Sequence, residues 1–224
     1  MKASIEQVRA DFDRIALVTE QSGALYTYHN LLLSQLPPQC ESALEIGCGT
    51  GIFTRRMAAT TKRVIGLDLS PEMIRLARER SVKHANIEYL LGDLLELSLP
   101  EESFDCVVSI ATLHHLPTEL ALRKMKSLLA PGGVLVIHDL VADDGFLDMC
   151  RSVLAKPVSV ALRFLKTGRP LPPRETRKVW DEHARFDVYL TLAEVKELCA
   201  QLLPEARIQR HLLWRYTIVW HRPL

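Results

Sequence analysis

Glycine at every second position between two short apolar runs constrains this chain more than any other feature. Ala43-Leu44-Glu45-Ile46 reads as a buried strand that runs directly into Gly47-Cys48-Gly49-Thr50-Gly51. A second strand, Arg63-Val64-Ile65-Gly66-Leu67-Asp68, follows after a helix-length interval and ends on a carboxylate. The pattern describes a βαβ unit for an adenosine-containing ligand: glycines admit it to the backbone, and the acid accepts from ribose hydroxyls. Dinucleotide folds favour G-x-G-x-x-G, with a pyrophosphate facing a helix N-terminus. Here the spacing is G-x-G-x-G, and Glu45 stands two residues before the first glycine. A carboxylate there repels a pyrophosphate and attracts the ammonium or sulfonium of S-adenosylmethionine (SAM). An NAD-dependent dehydrogenase is therefore disfavoured.

Three further stations follow. Asn86 to Leu91 reads as a third strand ending in Gly92-Asp93-Leu94, and the nearly all-apolar Phe104 to Ala111 as a fourth, buried on both faces. Pro131-Gly132-Gly133 then turns the chain into a fifth, Val134 to Asp139. At these residues the chain resembles the class I SAM-dependent methyltransferases, particularly small bacterial ones with an LHHL segment after the fourth strand, here Leu113 to Leu116. The resemblance covers roughly residues 40–142 well and the ends loosely. It implies an α/β, Rossmann-like, doubly wound sheet of seven strands in the order 3-2-1-4-5-7-6, the last antiparallel. It also implies SAM as donor, with S-adenosylhomocysteine as product. Gly47, Cys48, Gly49 and Gly51 are then expected to wrap the amino-acid end of the cofactor, with Glu45 at its ammonium and Asp68 on its ribose. Leu69 and Met73 are expected to flank the adenine, Asp93 to accept from its amino group beside Leu94, and Ser109, Ile110 and Ala111 to lie along the methionyl part.

Methyl transfer needs an aligned nucleophile and exclusion of water, and a base where the nucleophile carries a proton. His114 and His115 are candidates for base or substrate contact, because imidazole titrates near neutrality; a purely structural turn is the alternative. His138 is a second base candidate, and Tyr26 and His29 could reach the site from a lid helix. The histidine pair invites a metal reading, but no third ligand stands at a recognisable spacing, so no metal is expected.

At 224 residues the chain fits one α/β domain. We divide it into N-terminal lid helices (1–42), a SAM-binding core (43–142), a cap insertion (143–190) and a closing helix with a β-hairpin (191–224). Ser4-Ile5-Glu6-Gln7 and Thr191-Leu192-Ala193-Glu194 are capping-box patterns. Another helix is expected from Ser22 until Pro37-Pro38 stops it, and Ser70-Pro71 opens a further one. Within the insertion a helix fits Val153 to Leu165, although Pro157 would break or begin it, and 168–173 can only be loop.

A net charge of +1 gives no overall field toward nucleic acid or membrane. The charged start argues against a leader peptide, and five scattered cysteines argue for reduced thiols and a cytoplasmic home. Residues 151–178 nevertheless carry eight basic side chains against Glu175 alone. Such a cap, with Trp180 and His183 just beyond it as a stacking surface, would favour an anionic acceptor or, as a second reading, RNA. A small-molecule acceptor leads; a SAM-binding protein without turnover is the third reading. A monomer or homodimer is expected.

Overall fold

The computed structural model describes residues 4–18, 28–185 and 187–224. Helix α1 (Ile5–Val18) starts at Ser4, whose Oγ accepts from the Gln7 N–H at 3.2 Å. Helix α2 (His29–Leu33) ends short of Pro37; the expected start of this helix lies outside the described residues. The alternating core then unfolds in order: β1 (Cys40–Ile46), α3 (Ile52–Met57), β2 (Thr61–Asp68), α4 (Pro71–Arg80), β3 (Ile87–Leu91), β4 (Phe104–Ile110). A 3-10 turn at Leu113–His115 leads into α5 (Thr118–Leu128) and β5 (Leu129–Leu140). After α6 (Phe146–Thr167) and α7 (Arg174–His183), the chain closes with α8 (Leu192–Leu202), β6 (Arg207–His211) and β7 (Arg215–His221).

All seven strands form one sheet, in the order β3-β2-β1-β4-β5-β7-β6. The first five are mutually parallel, and β7 runs antiparallel to both β5 and β6. Strand alternation splits the core in two. Leu44, Ile46, Val107, Leu135 and Ile137 face α5 and α8, whereas Ala43, Val64, Cys106, Val108 and Val136 face α2 and α3. Residues at the carboxyl ends of the strands inherit this parity, which decides what each can reach.

Two local expectations are corrected. The fifth strand begins at Leu129 rather than Val134, with Pro131-Gly132-Gly133 inside it as an irregularity: Phe104 pairs with Leu129, then Cys106 with Val134. A side chain at Gly133 would meet the carbonyl oxygens of Ala130 and Phe104 at 2.9 and 3.0 Å, so the bulge needs glycine there. In the insertion, α6 runs through Pro157 without a break. Pro157 and Val153, one turn earlier, are both exposed, so the carbonyl that the proline leaves without an N–H donor meets water.

Helix α1 meets α4 through Asp13, which accepts from the Ser70 hydroxyl and the Glu72 N–H, and through Ile15 and Ala16 packed on Met73. Ser70 caps α4, accepting from the Met73 N–H at 3.1 Å, and donates to Asp13 of α1 at 2.5 Å. We expect Ser70→Ala to lower stability by about 1–2 kcal/mol in denaturant unfolding and to speed hydrogen exchange in α1; unchanged exchange there would show that α1 is held by its apolar contacts instead.

Candidate functional site

A cavity of about 250 Å³ opens at the carboxyl ends of β1, β2 and β4. Its base is the loop Gly47 to Thr50, and Ile5, Val8, Phe12 and Ile15 of α1 close over it with Trp180 of α7. The loop is set by hydrogen bonds from β2. The N–H groups of Gly47 and Cys48 donate to the Leu67 carbonyl, and that of Gly49 donates to Asp68 Oδ2 at 2.7 Å. Asp68 Oδ1 accepts from the Ser70 N–H at 2.9 Å. Asp68 is thus a backbone staple as well as a cavity wall. Burial raises its pKa to about 6, against the lowering effect of those N–H donors.

Glu45 is almost wholly buried at the tip of β1 and accepts from the Thr54 hydroxyl of α3. Burial, opposed by that hydrogen bond and reinforced by Asp68, lifts its pKa to about 8. Two buried acids beside a glycine loop make a cavity end that favours a cation.

The glycines do different work. A Cβ at Gly47 would lie 2.0 Å from Thr112 Oγ1, so this glycine is required by the protein's own packing. Gly49, at φ +52, faces open space, its nearest neighbour being Met73 Sδ at 3.9 Å. That gap is what a ligand cradle needs. Gly51 does not line the cavity; it starts α3 in the left-handed region, where a Cβ would meet the Tyr89 hydroxyl at 2.2 Å.

Most of the other expected residues are at the wall. Cys48, Leu69, Met73, Asp93 and Leu94 line the adjacent flank, with Asp93 Oδ1 accepting from the Leu95 N–H at 2.8 Å. Ile110 and Ala111 line it from β4, the latter strained at φ +52. Ser109 does not: it is fully buried between Ile46 and Ile137, on the sheet face under α5 and α8. His29 lines the cavity, edge-on to Phe53 at 4.9 Å between centroids. Tyr26 lies outside the described residues.

The histidines divide. His115 lines the cavity, and its Nδ1 lies 3.4 Å from Asp187 Oδ1. His114 is turned away from the cavity onto Asp139, with Nδ1 2.6 Å from Oδ1, while its own backbone N–H donates to Oδ2 at 2.9 Å. His138 is corrected as a base candidate, because strand parity sends it to the opposite sheet face from Asp139. There it is buried against Tyr28, with Nδ1 3.0 Å from Thr217 Oγ1, and it does not line the cavity. Burial and the nearby Arg215 hold its pKa down at about 3.

The basic cap over the pocket is also corrected. Among the described side chains, 151–178 contributes none to the cavity wall; Arg151, Lys156, Arg169, Arg174, Arg177 and Lys178 are exposed, and α7 supplies Trp180 instead. The sequence reading missed Thr112 as a wall residue and Asp187 altogether, whereas Trp180, expected beside a basic cap, lines the wall without one. No described helix is long and apolar enough to cross a membrane.

Residues 44–137 match the family described as a methyltransferase domain. The chain is 28% identical to an uncharacterized methyltransferase of Mycobacterium tuberculosis over 88% of this chain and 95% of that one. It is 38% identical to a malonyl-[acyl-carrier protein] O-methyltransferase of Serratia marcescens, over 46% of this chain and 39% of the relative. Among solved structures, the N-methyltransferase NodS of Bradyrhizobium japonicum, in complex with S-adenosylhomocysteine, shares the fold with a TM-score of 0.60 at 18% identity, covering 97% of this chain and 99% of that one.

Two outcomes follow from the cavity end. Gly49→Ala should fold with a loss of about 1–2 kcal/mol, from its left-handed φ, while losing nucleoside affinity. Gly47→Ala should lose at least ~2 kcal/mol through the Thr112 clash. Equal stabilities in denaturant titrations would contradict this division. The ligand-free protein should also melt at lower temperature as pH rises. The folded state holds the Glu45 and Asp68 protons more tightly than the unfolded chain, so their contribution is complete below their ordinary values of 4.5 and 3.8 and is lost as pH passes about 6 and then about 8. Glu45→Gln should flatten the upper part of that fall; an unaltered profile would mean that Glu45 is ionised throughout.

Proposed function

We propose that this chain, a class I SAM-dependent methyltransferase, methylates a small, largely apolar acceptor held between the glycine loop and α1. The observation that carries this reading is the cavity wall opposite the loop: Ile5, Val8, Phe12, Ile15, Leu116 and Trp180, with no described basic side chain among them. When bound, SAM supplies a methyl group on a positively charged sulfur, activated for in-line displacement.

The protein's own part is positioning and exclusion of water. Glu45 is assigned to the ammonium group and Asp68, which lines the cavity while held by the Gly49 and Ser70 N–H groups, to the ribose hydroxyls. Asp93 is assigned to the adenine amino group, with Leu69, Met73 and Leu94 flanking the ring, and Ile110 and Ala111 to the methionyl chain. Opposite them, α1 and Trp180 keep water from the reacting centre. His115 is the member of the histidine pair at the wall, and it meets the acceptor there as contact or base. His114, anchored on Asp139, sets the turn that presents it.

RNA remains the second reading on composition alone, since the basic residues of 151–178 stand apart from the cavity. The relatives divide between O- and N-methyltransferases by name, so the atom methylated is left open.

Transfer of labelled methyl from SAM into separated metabolite, RNA and protein fractions tests the proposal. Label should enter the metabolite fraction, and His115→Gln should slow transfer about 100-fold or more with cofactor affinity retained. Label confined to RNA or protein would overturn the acceptor assignment.

A further inference from the structure

Beside the cavity the fold assembles a group of donors whose spacing is that of ligands around an ion. We propose that His114, His115 and Asp187 bind a divalent transition-metal ion of the zinc class, with His183, outside that group but 3.7 Å from the Asp187 carboxylate, turning in as a fourth donor.

The residues come from separate parts of the chain. His114 and His115 end the 3-10 turn after β4, His183 is the last residue of α7, and Asp187 lies in the segment beyond it. The ligand atoms of His114, His115 and Asp187 all lie within 4.8 Å of one another. Around the carboxylate, His115 Nδ1 stands 3.4 Å from Oδ1, His183 Nε2 3.7 Å from Oδ1, and His114 Nε2 3.9 Å from Oδ2. These separations are long for hydrogen bonds. Two donors each about 2.0–2.1 Å from a tetrahedral ion stand roughly 3.3 Å apart, so His115 is already at that spacing and the other rings would draw in by about half an ångström. All four side chains are less than a tenth exposed, and His183 Nε2 has no hydrogen-bond partner among the described residues.

The surrounding groups are those that orient metal ligands. A ligating imidazole usually gives its other N–H to a carboxylate, which fixes the tautomer and frees the facing nitrogen's lone pair. His114 Nδ1 has this partner, 2.6 Å from Asp139, and His183 Nδ1 faces Asp11 of α1 at a longer 3.4 Å. The carboxylate is oriented too, since the Tyr189 hydroxyl donates to Asp187 Oδ2 at 2.7 Å. Three imidazoles and one carboxylate suit zinc and its neighbours, whereas magnesium and calcium take oxygen-dominated sets.

This inference goes beyond the methyl-transfer reading and stands without it. The ion would tie the cap, through His183 and Asp187, to the core turn that presents His115. With its Nδ1 lone pair on the ion, His115 would be an acceptor contact and not a base. The competing arrangement has no metal, the three rings being held by Asp11, Asp139 and Asp187 alone.

The test uses the full chain, stripped with chelator and titrated with zinc by calorimetry and with cobalt by visible absorption. One equivalent should bind, giving the ligand-field bands of a nitrogen- and oxygen-ligated tetrahedral cobalt site without thiolate charge transfer, and Cys150→Ser should change nothing. Asp187→Asn and His183→Ala should each weaken binding more than ~10-fold while circular dichroism stays unchanged. Should the first fail to fold, the second carries the test alone. Absence of stoichiometric binding, equal binding in the folded variants, or a signal abolished by Cys150→Ser would overturn the site.

Discussion

One buried carboxylate holds the functional end of this fold together. Asp68 closes β2 and accepts from two backbone N–H groups at once: Gly49 in the loop after β1 and Ser70 at the start of α4. Through Ser70 the same network reaches Asp13 on α1, so the glycine loop, the adjoining helix and the lid share one anchor. Charge-assisted bonds of this kind are strong when buried, and their cost is visible in the raised pKa that burial gives Asp68. The acid proposed for ribose recognition therefore also shapes the glycine loop beside it.

Much of this architecture is legible in the chain. Alternating glycines, the Asp68 strand tip, the Ser70-Pro71 start and the Thr191 capping box each act locally, within a few residues, and each element forms where its signal stands. Thr191 shows the full reciprocal pattern: its hydroxyl accepts from the Glu194 N–H, and the Glu194 carboxylate accepts from the Thr191 N–H. What does not read out is anything decided by parity or by distant partners. His138 and Asp139 are neighbours in sequence, yet the strand sends them to opposite faces, one against Tyr28 and Thr217, the other against His114. Ser109 and Ile110 part in the same way. The pairing of His115 with Asp187 depends on how the insertion folds back, and no local spacing encodes that.

The insertion shows the same limit. Its basic composition suggested a positive roof, but α7 carries Arg174, Arg177 and Lys178 outward while it sets Val179 against α1 and Trp180 at the cavity wall. The site thus has a polar end and an apolar end. Glu45, Asp68 and Asp93 gather where a nucleoside cation would lie; α1 and Trp180 enclose the rest. On the proposed reading, the cofactor is recognised at the strand tips and the acceptor by α1 and α7, a division that lets one fold serve many acceptors.

The central claim is that the tips of β1 and β2 form a cradle for a positively charged sulfur nucleoside. A crystal structure with S-adenosylhomocysteine bound tests it most directly. The account predicts the ligand's amino group beside Glu45, its ribose hydroxyls on Asp68 and its backbone contacts across Gly49. A ligand found elsewhere, or a cradle that takes up a dinucleotide pyrophosphate in its place, would contradict it.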